Sequence, residues 1–262
     1  VYKNKWSDLE NENDYIASES SENDLEMQLN AQRMKNKNCL GRISRAVIND
    51  IAVKFEGSDQ YKRHTGQYGK ISALNQVLIF LWFIGHQTAS FRDSSDRFDV
   101  TMSSLHRIIK RMVIFLSNLL PQVITWPSDN EKIIIEQHFR ENSFPNIIGA
   151  IDRSHIKTDK PENDPDSYIN RKGYYSIQMQ VVCNHTRKIR DIFVGYPGSV
   201  HDSRVYRNSP LSNHLEEKCG RYFLLGDSGY PLKKNVLTPF KDRGQLGRRQ
   251  INYNTKVTKN RY

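Results

Sequence analysis

Two aspartates stand at the ends of short apolar runs. In "NIIGAIDRSHIK" (146–157), Ile147, Ile148, Ala150 and Ile151 lead into Asp152, and "RYFLLGD" (221–227) leads into Asp227. Runs of this length and composition are expected to form buried strands over 147–151 and 221–227. Taken singly, a strand-end Asp more commonly caps a turn than binds a metal. Two such ends, about 75 residues apart in the chain, say more. If the strands are neighbours in one sheet, both carboxylates emerge at the same edge and can share a hard divalent cation. Mg²⁺ and Mn²⁺ favour such oxygen ligands and retain waters for chemistry. A pair of ions activates an attacking water and stabilises the leaving oxygen of a phosphodiester. Two acids are a sparse set for that task, and a third carboxylate is normally wanted.

The surroundings of these acids are cationic and hydroxylated. "YINRKGYYS" (168–176) sets Arg171 and Lys172 among three tyrosines and a glycine. A basic loop with interleaved aromatics grips a phosphate backbone and stacks on bases, although a solvated hairpin tip has the same composition. "GYPGSVHDSRV" (195–205) brings His201 and Asp202 to a strand-to-helix junction. Asp202 is expected to cap the following helix or to support the metal ligands. His201 either donates to a phosphate or sits on the surface.

The elements that must hold these residues follow from periodicity. Residues 72–89, "SALNQVLIFLWFIGHQTA", are apolar nearly all round with Ser72 as N-cap, which predicts a buried helix. A short amphipathic piece, Asp93–Phe98, a turn at Asp99–Val100 and a longer helix from Thr101 or Ser103 to Pro121 give a helix-turn-helix outline over 91–121. Its second helix carries Ser103, Ser104, His106, Arg107, Lys110 and Arg111 on a polar side that can reach phosphates and bases. Any helical hairpin with a basic face has the same appearance. Ser128 and Glu131 form an S-x-x-E capping box for a helix over 129–140.

Beyond that helix the period changes. Strands are expected at 176–183 and 189–196, paired as a hairpin around "NHTRK", with a helix over 201–217. Helices followed by a mixed sheet indicate an α+β or α/β fold with an N-terminal helical subdomain. The expected divisions are a disordered acidic tail (1–28), a helical region (29–142) and a sheet domain (143–262).

The chain has 262 residues and a formal net charge of +10, unevenly spread. Residues 1–28 carry eight acids against Lys3 and Lys5, leaving +16 on the remainder. A body that basic indicates a polyanionic partner, DNA above all, and hence a nuclear location with the cytoplasm as a further compartment. The three cysteines form no CxxC pair, which favours a reducing compartment. The longest apolar run, 77–85, is far short of the roughly 20 residues that span a bilayer.

Four motifs occur in order: "GAIDRSHI", "YINRKGYYSIQMQVVCN", "GYPGSVHDSRVYRNSPL" and "YFLLGDSGYPL". Together they resemble the DDE endonuclease domain of the PIF/Harbinger transposases and their domesticated, nuclease-like relatives. The likeness covers roughly 145–253, and the helical segment 72–126 resembles that family's N-terminal region. It implies an α/β, RNase H-like mixed sheet with flanking helices, a divalent metal (Mg²⁺ or Mn²⁺), DNA strand cleavage, and a helix-turn-helix that binds terminal repeats. It also implies a Myb/SANT-like protein partner. Asp152 and Asp227 match the first two acids of the family's catalytic triad.

There are departures. Arg153 stands where the family usually has Gly, and is expected to pair with Asp152. Asn184 stands where Asp is common. The Asn252–Tyr253 pair matches a segment that in the family leads shortly to a helix bearing the third acid, usually Glu, and the sequence reaches Tyr262 without one. After Asp227 the one acid is Asp242, in a polar stretch that reads as a loop. The expectation is thus a metal-dependent DNA endonuclease of transposase descent, impaired as given, with apolar sheet surface left uncovered. The competing reading is a non-catalytic DNA-binding or interaction protein of the same descent. A third is a decayed chain with no stable product.

Overall fold

The computed structural model describes residues 43–63, 71–86 and 89–261. The acidic stretch 1–28, and the part of the helical region up to residue 42, lie outside the described residues. The chain divides into two compact units, one to Leu120 and one from Pro121. The helix expected over 129–140 therefore belongs with the sheet rather than with the N-terminal helices.

The first unit comprises α1 (Arg45–Glu56), α2 (Asp59–Lys62), α3 (Ala73–Gly85), α4 (Phe91–Phe98) and most of α5 (Met102–Val123). Serines start three of them by accepting orphan N–H groups, Ser44 from Val47, Ser72 from Asn75, and Ser90 in a capping box with Asp93. Asp99 lies in the left-handed region (φ 49°, ψ 46°) and turns the chain between α4 and α5, so the helix-turn-helix outline is present. Leu105, Ile108, Met112 and Phe115 recur at helical spacing on the buried side of α5, beside Phe55, Val77 and Ile79. Pro121 lies within the last turn of α5 rather than beyond it, where its missing N–H forfeits a single bond.

The second unit holds α6 (Asp129–Glu141), β1 (Ile147–Lys157), β2 (Ser176–Cys183), β3 (Ile189–Pro197), α7 (Asp202–Asn208), α8 (Pro210–Cys219), β4 (Phe223–Leu225), β5 (Val236–Leu237) and α9 (Arg248–Arg261). The strands form one mixed sheet in the order β3-β2-β1-β4-β5. β1, β2 and β3 are antiparallel in sequence, whereas β4 runs parallel to β1 and β5 parallel to β4. This is the RNase H-like arrangement, with helices packed on the sheet. Its core joins Ile135 and Phe139 of α6, Ile147, Ile148 and Ile151 of β1, Leu211 and Leu215 of α8, Leu224 and Leu225 of β4, and Val257 of α9.

Three elements differ from expectation. β1 does not stop at Ile151 but continues to Lys157, because β2 pairs with it from Ala150 onward. The single helix expected over 201–217 is two, broken at Ser209, whose hydroxyl accepts from Ser212 N–H while Pro210 opens α8. A proline at the first helical position has no N–H to leave unpaired, so it starts a helix better than it continues one. Finally, the segment containing Asn252 and Tyr253 is itself helical. α9 buries Val257 completely and sets Tyr253 against the core, so it covers apolar surface that was expected to stand open.

Candidate active site

The parallel pairing of β1 with β4 brings the two strand-end aspartates together. Ile147 pairs with Phe223, but Gly149 pairs with Leu224 and Ala150 with Leu225, so β1 carries one extra residue at a bulge. Continued two residues, this register sets Asp152 opposite Asp227; without the bulge Asp152 would face Ser228. Neighbouring strands lie about 4.8 Å apart, which puts both carboxylates at one edge. Gly149 permits the close approach of β2, since a Cβ there would stand 2.6 Å from the Cys183 carbonyl oxygen.

Asp202 joins them from the start of α7. A Cβ on Gly229 would lie 2.5 Å from Asp202 Oδ2 and 3.1 Å from Asp227 Oδ1, so the two carboxylates close on the same glycine. Gly229 N–H also donates to Asp227 Oδ1 at 2.9 Å, bending the chain behind the acid. Beneath them Tyr230 is buried, and its hydroxyl is pushed far above the usual range, by burial first and then by Asp202, Asp152 and Asp227. Burial likewise raises the Asp202 carboxyl, and Asp227 adds to that rise while Arg153 opposes it.

Two arginines attend this cluster. Arg153 was expected to pair with Asp152, but its side chain turns to the other face of β1 and forms an ion pair with Asp202. The reason is the strand's alternation, which sends neighbouring side chains to opposite faces. Only the backbone N–H of Arg153 reaches Asp152, donating to Oδ1 at 2.8 Å. The guanidinium beside Asp152 is instead that of Arg261, at the end of α9, 3.4 Å from Oδ2. Among the described residues, no group of three or more His, Cys, Asp or Glu side chains is close enough to hold a metal ion.

The other candidate residues fall in three places. His201, exposed, is the actual N-cap of α7, its Nδ1 accepting from Ser203 N–H at 3.4 Å, so Asp202 is freed from the capping role expected of it. Arg171 and Lys172 are exposed on a tight turn shaped by Asn170, whose Oδ1 accepts from Lys172 N–H (2.9 Å) and Tyr174 N–H (3.4 Å). Asn170 is tied back to the sheet through Ser176 Oγ, which also meets His155 Nδ1 at 3.0 Å. In the first unit Ser103, His106, Arg107 and Lys110 are exposed on α5. Arg111 is not; it turns inward and donates to Gln76 Oε1 at 2.9 Å. Phe91, Met102, Ser103, His106 and Arg107 line a shallow depression of about 530 Å³.

Asn184 shapes the turn between β2 and β3. Its Oδ1 accepts from Thr186 N–H, Thr186 Oγ1 and Lys188 N–H at 2.8–3.1 Å. Asp242 is exposed and its Oδ1 accepts from Gly244 N–H at 2.8 Å within its own loop. Reading the residues in order did not single out Gly229, Tyr230 or Arg261. The first two stand in the quoted "GDSGYPL", where a glycine two residues after an acid is a turn signal. Arg261 offers no local sign, because its role depends on where α9 docks.

A mixed sheet of this order, with aspartates at the matched ends of neighbouring parallel strands, defines the RNase H-like nuclease class. Within it, residues 151–262 match the family described as "DDE superfamily endonuclease". The chain is similar to the Harbinger transposase-derived proteins. It is 30% identical to "Putative nuclease HARBI1" of Rattus norvegicus over 181 residues, 68% of this chain and 51% of that protein. The Homo sapiens counterpart is 28% identical over the same shares. "Protein ALP1-like" of Arabidopsis thaliana is 28% identical over 168 residues, 56% of this chain and 40% of that protein. The chain thus spans about half the length of the curated relatives first matched. No solved structure matches it. None of the helices among the described residues is long and apolar enough to cross a membrane.

DDE superfamily endonucleases generally use divalent metals, and the donor set here fits a small hard cation. Such ions take one or two carboxylates and complete their shell with water and substrate phosphate oxygens. Asp152, with half its side chain exposed, and Asp227, partly exposed, are the two carboxylates at this edge that would hold it.

Proposed function

We propose that this chain is the endonuclease part of a transposase-derived protein, acting on DNA phosphodiester bonds with Mg²⁺ or Mn²⁺ held by Asp152 and Asp227. The observation that carries it is the β1–β4 register, which matches two carboxylates at one sheet edge in a segment of this family. The ion supplies Lewis-acid activation of water and neutralisation of phosphate charge. The chain's own residues do the rest. Gly229 N–H orients Asp227, and Tyr230 forms a buried floor under the acids. Arg171 and Lys172 hold backbone phosphates, and the exposed Ser103, His106, Arg107 and Lys110 contact DNA from α5.

Cleavage by these 262 residues is expected to be weak. α9 carries no carboxylate, and it brings a guanidinium to Asp152. That same pairing favours a second reading, a protein that binds DNA without cutting it. Both readings place the protein in the nucleus, where a Myb/SANT-like partner is a candidate by family resemblance alone.

The test is relaxation of supercoiled plasmid with Mg²⁺, Mn²⁺ or chelator, alongside Asp152→Asn and Asp227→Asn. Slow metal-dependent nicking, lost in both variants, is expected. Nicking that persists in the variants would sink the site assignment. Salt-sensitive binding with no nicking under any metal would favour the second reading.

A further inference from the structure

Asp202 is the most confined of the three acids. Its Oδ1 is paired with Arg153, its Oδ2 is turned against Gly229, and its side chain is only 15% exposed. Arg153 is itself fixed, at 17% exposure, by acceptors from two further segments: its Nη1 donates to Gln178 Oε1 at 2.9 Å and to the Val200 carbonyl at 2.8 Å. Gln178, fully buried on β2, is held in turn by donating Nε2 to the carbonyls of Pro197, Gly198 and Val200 at 2.5–3.0 Å. The guanidinium is therefore built into a polar frame joining β1, β2 and the 197–202 turn. Its planar group serves these three acceptors from two nitrogens, Nε toward Asp202 and Nη1 toward Gln178 and Val200.

Asp152 and Asp227 are placed differently. Asp152 is 51% exposed and meets Arg261 only at 3.4 Å. Asp227 is partly exposed and is oriented by one backbone N–H. A cation arriving at the cluster competes at half-exposed Asp152 with a guanidinium 3.4 Å away, whereas at Asp202 it meets one in closer contact and better shielded from water.

We infer that Arg153 withholds Asp202 from metal, so that the acid cluster of this chain takes one divalent ion, shared by Asp152 and Asp227, rather than two. This rests on the reading of the cluster as a metal centre. Arg153 is then a positioning residue: its fixed positive charge stands where a second cation would otherwise be drawn, and a dication placed there would face a guanidinium already in contact with the same carboxylate. Asp202 serves to anchor the 197–202 turn to β1 and adds negative potential without ligating.

The test counts Mn²⁺ bound to the 262-residue chain by loss of the free-ion electron paramagnetic resonance signal, with circular dichroism as the check on folding. Wild type is expected to bind one ion, and Asp202→Asn to bind it nearly as well. Asp152→Asn and Asp227→Asn should each weaken it by at least the roughly 10–100-fold that loss of a mere supporting group brings. Arg153→Gln, which keeps hydrogen-bonding capacity and removes the charge, should bind a second ion or bind more tightly, in a manner then lost on adding Asp202→Asn. If Arg153→Gln does not fold, the comparison of Asp202→Asn with Asp152→Asn still decides. Two ions on the wild type, a loss in Asp202→Asn equal to that in Asp152→Asn, or unchanged binding in folded Arg153→Gln would overturn this inference alone. No ion bound by wild type at millimolar Mn²⁺ would overturn both it and the metal-centre reading.

Discussion

Replacing Gly229 by alanine probes the tightest geometry of the site. The added Cβ would stand 2.5 Å from Asp202 Oδ2, 3.3 Å from its Cγ and 3.1 Å from Asp227 Oδ1. Ordinary carbon–oxygen contact begins near 3.4 Å, so one carboxylate must move by close to an ångström. Asp202 cannot swing aside without leaving Arg153, which is held by Gln178 and Val200. The alternative is retreat of the 227–230 turn, which gives up the Gly229 N–H bond to Asp227. Either response is an overpacking defect, costing about 1–3 kcal/mol. With a urea slope of about 2 kcal/mol per molar, the unfolding midpoint of the sheet unit should fall by roughly 0.5–1.5 M at unchanged slope. Trp126, bonded through Nε1 to the Lys218 carbonyl in that unit, is a suitable fluorescence probe beside circular dichroism. A midpoint equal to wild type would refute the convergence of Asp202 and Asp227 on this glycine.

Two further outcomes follow from α9 and α6. Val257→Ala removes a side chain with 0% exposure from the core of the sheet unit and should cost about 1–3 kcal/mol in the same urea experiment; no change would mean that α9 is not docked. Glu131 is held down to about 2, chiefly by the hydrogen bond from Arg190 and then by Ser128 N–H. Because the folded value is depressed, its contribution is complete above the ordinary value of 4.5 and is lost as pH falls from there through about 2. Glu131→Gln, which preserves a capping box, should flatten the acid limb of stability in that window. An acid limb as steep as wild type would contradict the role given to Arg190.

What was legible in the sequence was what is decided locally. Ser128 and Glu131 announce a helix three residues apart, and Ser72 does the same for α3. The hairpin around "NHTRK" is set by one side chain, Asn184, satisfying the turn's own N–H groups. Asp152 and Asp227 could be paired on the condition that their strands were neighbours, and the sheet order meets it.

What was not legible depends on tertiary partners. Residues 153–157 are polar except for Ile156, and the face carrying Arg153 and His155 packs on Gln178 and Ser176 rather than on apolar groups, so the strand's length was hidden. The expected pairing of Arg153 with Asp152 fails because the face Arg153 occupies depends on β1 continuing past Asp152. The break at Ser209–Pro210 is written in the sequence as a serine cap followed by proline, but it is masked by a helical period that runs on through both helices. Arg261 reaches Asp152 across 109 residues, a relation that periodicity does not encode.

The measurement closest to the central claim is where a metal binds. With the amide signals of the sheet unit assigned by nuclear magnetic resonance, substoichiometric Mn²⁺ should broaden Asp152, Arg153 and residues 226–230 before the Asp242 loop. Mg²⁺ should compete the effect away. Broadening that begins at Asp242, or that spreads over surface acids without touching both Asp152 and Asp227, would contradict a cation shared at the β1–β4 edge.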